Sequence, residues 1–149
     1  MIFGLITIAV IIGALMPIQA SINGELSRLT QNPYLAAFIS FATGTLALLI
    51  LLLIKGFPVE EFKRLPSASP YVFLGGALGA LFVVSSVFFV PRIGTTTMIA
   101  AFVTGQLVMS VVIDHYGMLG LPVNTLTVPR FIGILLLFGG LLLVIKKSP

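Results

Sequence analysis

The sequence predicts an all-α integral membrane protein, with five transmembrane helices forming one domain. Three observations lead there. The 149 residues are 58% hydrophobic and only 8% charged, and their mean hydropathy is +1.21. A soluble domain of this size leaves too much of its surface in water to hide such a composition. Third, the chain divides into five apolar runs bounded by Pro, Gly and charged residues. Each run is near the ~20 residues needed to cross a hydrocarbon core about 30 Å thick.

The first helix is expected over about residues 2–26, its apolar part ending near residue 22. It has no positive leader and no small-residue cleavage site, so it reads as a retained helix rather than a signal peptide. The second is expected over about 34–54, with Pro33 in a first turn where a missing N–H is harmless. The third covers about 71–90, between Pro70 and Pro91, and the fourth about 95–113, ending at Asp114 and His115. The fifth covers about 129–145 and is closed by Lys146 and Lys147. Residues 55–70 carry Glu60, Glu61, Lys63 and Arg64 and read as a solvated loop with a short helical turn at VEEFKRL. Residues 116–128 are apolar for a loop, and lie in the interface or dip back into the protein.

Several function classes are excluded at this level. The chain has no cysteine and one histidine, so neither a disulfide framework nor a metal site is expected, and no cofactor motif is present. HExxH, GxSxG, paired intramembrane carboxylates and a phosphate-binding glycine loop are all missing, which argues against an enzyme. The net charge of +4 is topology information and not a nucleic-acid patch.

With five spans the two chain ends fall on opposite sides, and orientation should follow the Lys/Arg bias. Lys55, Lys63, Arg64 and Arg130 fall on one side, and Arg28, Arg92, Lys146 and Lys147 on the other. The balance predicts insertion in both orientations. Two opposite copies can then pair about an axis in the membrane plane, as an antiparallel homodimer of five plus five helices. A single orientation set by a partner or by the N-terminal amine is the alternative.

The polar groups inside the spans carry the functional argument. Pro17 removes a backbone bond to Gly13 and should kink the first helix. Gln19 and Asn23 follow at a spacing of four and share one face. They read as interhelical glue, as solute contacts, or as a helix end near the headgroups. Glu25 and Arg28 read as a surface ion pair, although a carboxylate is disfavoured at a helix C-terminus. On the fourth helix Gln106, Ser110 and Asp114 line one face. Asp114 reads either as the cap of the short turn that follows or as a functional carboxylate at depth, with His115 beside it as a candidate proton relay. Gly75, Gly76 and Gly79 form small-xxx-small pairs for helix packing, and Gly44, Gly133, Gly139 and Gly140 do so less specifically.

PIQASINGEL (17–26), ISFATGTLAL (39–48), GGALGALFVVSS (75–86), VPRIGTTT (90–97) and GQLVMSVVIDHYGMLG (105–120) together resemble the YdcZ-like family of the drug/metabolite transporter superfamily. Its members are short five-helix proteins described as exporters of the bacterial inner membrane. The resemblance implies that larger ten-helix members are two such halves fused in opposite orientation. The small multidrug-resistance branch of that superfamily carries a proton- and drug-binding glutamate in its first helix, where this chain has Gln19 and Asn23.

The resulting expectation is a multi-pass inner-membrane transporter of a small polar organic solute, working by alternating access. Gln19, Asn23, Gln106 and Ser110 would contact solute, Pro17 would supply the kink, and Asp114 or Glu25 would couple protons. Amides suit a neutral or zwitterionic solute better than a bare cation. The partners are the lipid bilayer, the solute, and a second copy or a paralogue. Rival expectations are a flippase for a lipid-linked intermediate and a non-transporting scaffold.

Overall fold

The computed structural model describes residues 2–146, among which every regular element is helical. Five stretches are long and apolar enough to span a membrane: Ile2–Thr30, Pro33–Lys55, Pro70–Ile93, Thr95–Tyr116 and Val128–Ile145. Lys147, counted above in the charge balance, lies outside the described residues. The chain divides into two compact units, Met1–Arg92 and Ile93–Pro149.

In the first unit the opening span is two helices, α1 (Ile2–Gly13) and α2 (Leu15–Thr30), interrupted at Ala14. The interruption adjoins Gly13, whose carbonyl Pro17 cannot serve and whose space the proline ring crowds. α2 runs on past the apolar stretch to Thr30. Arg28 pairs with Glu25 one turn back, and the Thr30 hydroxyl donates to the Leu26 carbonyl at 2.9 Å. Gln31 then turns left-handed at φ 52°. The Asn32 side chain accepts from the backbone N–H groups of Tyr34 at 2.9 Å and Leu35 at 3.1 Å. That cap, with Pro33 in the first turn, starts α3 (Pro33–Lys55). So short a connection folds α3 back along α2, and the two pack together.

The charged loop holds one turn of helix, α4 (Val59–Phe62). Lys63 pairs with Glu60 at 2.6 Å, and the rings of Phe57 and Phe62 stack at 5.1 Å. Two 3-10 turns, Leu65–Ser67 and Pro70–Phe73, lead into α5 (Leu74–Ile93). Pro91 is carried inside the last turn of α5. Beside it the Arg92 guanidinium donates to the Phe88 carbonyl at 2.5 Å, and the Tyr34 ring meets Phe88 edge-on at 6.1 Å, tying α3 to α5.

The interior of this unit is made of small groups. Ala20, Asn23 and Gly24 are buried on α2, Ala36 and Ala37 on α3, and Val83, Ser86 and Val87 on α5. Ala20 and Gly24 stand one turn apart, the spacing that lets helix backbones approach. Of the α5 glycines, Gly79 faces the Phe41 ring, 3.4 Å from where a Cβ would stand, whereas positions 75 and 76 open on space with nothing within 4 Å.

The second unit is built on α6 (Thr95–Tyr116) and α7 (Val128–Ile145), which pack on each other. Gly117 ends α6 in a left-handed conformation, its N–H serving the carbonyls of Ile113 and Asp114. After a 3-10 turn at Met118–Gly120, residues 121–127 fold back over the end of α6. Neither α1 nor α7 buries a residue. Apolar surface of that extent is stable only against acyl chains or another chain.

Candidate functional site

A groove of about 450 Å³ runs between α2 and α3. Its walls are mostly apolar, including Leu15, Ile18 and Ile22, and its polar groups are Gln19, Asn23, Ser40 and Thr43. No ionisable side chain lines it. A second hollow of about 210 Å³ adjoins it and shares Gln19, Ser40 and Gly44. Gln19 thus stands between two hollows, and Gly44 widens both because it has no side chain there. A Cβ at Gly44 would meet nothing within 4 Å.

Asn23 is the chemically unusual residue of this groove. It is 4% exposed, and its Nδ2 is buried with no hydrogen-bond partner. Buried hydroxyls elsewhere avoid that state by bonding back to their own helix. Ser86 donates to the Val83 carbonyl and Thr104 to the Ala100 carbonyl, each at 2.7 Å. In the groove itself Thr43 donates to the Ile39 carbonyl at 2.8 Å. Asn23 has no such bond, and an unsatisfied buried donor costs about 1–3 kcal/mol.

The other residues singled out in the sequence have different surroundings. Glu25 is exposed, is paired with Arg28, and borders a separate hollow of about 250 Å³ with Gly24, Val90 and Pro91. In the second unit Gln106 and Ser110 lie on an exposed face of α6, and the Ser110 hydroxyl donates to the Leu107 carbonyl at 2.8 Å. The Asp114 side chain does not cap the following turn. Its carboxylate reaches Arg130 of α7 at 3.3 Å, because Gly117 already closes the helix end with backbone bonds. Among the described residues no three of His, Cys, Asp and Glu cluster as a metal site would require.

Sequence reasoning missed Ser40 and Gly44 as groove residues and Arg130 as the partner of Asp114. Ser40 and Gly44 carry the same signal that marked Gln19 and Asn23, a spacing of four within a span. Nothing local in the sequence joins Arg130 to Asp114.

No curated protein and no solved structure matches this chain. The family described as "Putative inner membrane exporter, YdcZ" matches residues 4–143. With five helices able to span a membrane and a family match along nearly its whole length, the chain belongs to this family of inner membrane exporters, as a multi-pass membrane transporter.

Proposed function

We propose that the solute is a small polar molecule, uncharged or zwitterionic, and that it is moved by alternating access with Gln19 and Asn23 as its contacts. The observation that carries this reading is the orphaned Asn23 amide at a groove of about 450 Å³. That volume is ordinary for a small-molecule site. A donor left unsatisfied in one state favours any state or ligand that satisfies it. The lack of ionisable lining speaks against a bare cation. On α6, Gln106 and Ser110 are further proposed contacts, Ser110 as an acceptor because its hydrogen is already donated. The break beside Pro17 supplies the compliance that rocking needs.

The same reading includes an antiparallel pair of copies. Its support is the balanced Lys/Arg count and the unfilled surface at Gly75 and Gly76. C-terminal topology reporters should signal from both sides of the membrane, and a signal from one side alone contradicts the antiparallel pair.

The solute contacts are tested by thermal shifts of the purified protein in bilayer discs across a metabolite library. Uncharged or zwitterionic hits are expected, lost in Gln19→Ala and Asn23→Ala. Hits that persist unchanged in both variants place the site elsewhere. The apolar groove walls also suit a lipid-linked intermediate, so the library includes a prenyl-linked sugar. Stabilisation by that compound alone would select the flippase.

A further inference from the structure

The segment 121–127 is held against the end of α6 by bonds of two kinds. The Asn124 N–H donates to the Asp114 backbone carbonyl at 2.8 Å, which no change of pH alters. The Leu126 N–H donates to Nδ1 of His115 at 3.0 Å. A ring nitrogen that accepts must keep its lone pair, so this bond requires the neutral imidazole with its proton on Nε2.

We propose that His115 is a proton-binding site that latches residues 121–127 to α6 when neutral and releases the Leu126 end when protonated. A proton on Nδ1 turns that atom into a donor facing the Leu126 N–H, and the bond is lost. The sign follows directly. The accepting lone pair exists only on the neutral ring, so the bond is made with neutral imidazole and broken by its protonation.

The surroundings within this unit favour His115 over the carboxylates as the responding group. Asp114, next along the helix, is already engaged by Arg130 at 3.3 Å. The Tyr116 ring stands edge-on to the imidazole at 4.8 Å. The remaining neighbours around a hollow of about 210 Å³ are Val111, Val112 and Leu126, which offer an imidazolium no counter-charge. Arg130 also donates to the Asn124 carbonyl at 3.3 Å, so the Asn124 end stays anchored while Leu126 is free to leave.

Residue-resolved hydrogen exchange on the full chain in bilayer discs, between about pH 5 and pH 8 where histidine charge changes, tests this. After correction for intrinsic rates, protection of Leu126 should fall about threefold to tenfold on acidification, the equivalent of one hydrogen bond. Protection of Asn124 should hold. In His115→Asn, whose side-chain oxygen replaces the accepting nitrogen without titrating, Leu126 should stay protected throughout. In His115→Phe it should be unprotected throughout. Wild-type protection of Leu126 that ignores pH overturns the proposal, and so does an equal loss in His115→Asn. The readout needs no solute and stands apart from the transport reading.

Discussion

α2 in the first unit and α6 in the second carry the same sequence signal, polar residues spaced by four inside an apolar helix, and Asn23 on the one is bonded differently from Ser110 and Asp114 on the other. On α6 Ser110 is satisfied by its own backbone, and Asp114 is matched by Arg130 across to α7. On α2 Gln19 and Asn23 border a groove, and the Asn23 amide is buried without a partner. The difference is chemical. A hydroxyl in a helix reaches the carbonyl a turn behind, and a carboxylate finds an arginine. Here the carboxamide does neither. Spacing therefore locates polar strips, and only the packed structure shows how each polar group within them is bonded.

The comparison is broken most severely at Gly44. Gly44→Leu should fill the groove, since the first carbon of a side chain there meets nothing within 4 Å. Solute-induced stabilisation should vanish while helicity is unchanged, and a retained thermal shift would move the site away from α3. The second unit is most vulnerable at Gly117, whose φ is +60° and whose added Cβ would stand 2.7 Å from Cγ2 of Val123. Gly117→Ala should cost about 1–3 kcal/mol through strain and overpacking. Hydrogen exchange should show residues 121–127 released at every pH, with α2 and α3 untouched.

Smaller effects sharpen the contrast. Asp114 and Arg130 are each about one-third exposed, so Asp114→Asn should lower stability by only about 0–1 kcal/mol in equilibrium unfolding. Ser110→Ala should change stability by less than about 0.5 kcal/mol. It should also weaken the solute response less than Asn23→Ala does, and the reverse ranking would shift the contact to α6.

The five spans were legible because hydropathy over ~20 residues is a one-dimensional signal. Pro33, Pro70 and the C-terminal lysines marked boundaries for equally local reasons. The extension of α2 to Thr30 was not legible, since it depends on a side-chain pair and a back-bonded hydroxyl that hydropathy does not weigh. Gln19 and Asn23 were visible as one face. What distinguishes them, the missing partner of Asn23 and the space beside Gly44, belongs to the packing of α2 on α3. The fold-back of residues 121–127 has no sequence signature, because it rests on a histidine accepting a backbone N–H eleven residues away.

If the buried Asn23 amide is kept unsatisfied for a ligand, as proposed, equilibrium unfolding of Asn23→Leu in bilayer discs should reveal it. Replacing an orphaned buried amide by an apolar side chain of similar size should raise stability by about 1–3 kcal/mol, and the same variant should lose the solute-induced shift. A variant that is destabilised by that amount, or that still responds to solute, would show that Asn23 is bonded within the fold and that the groove is not its reason for being there.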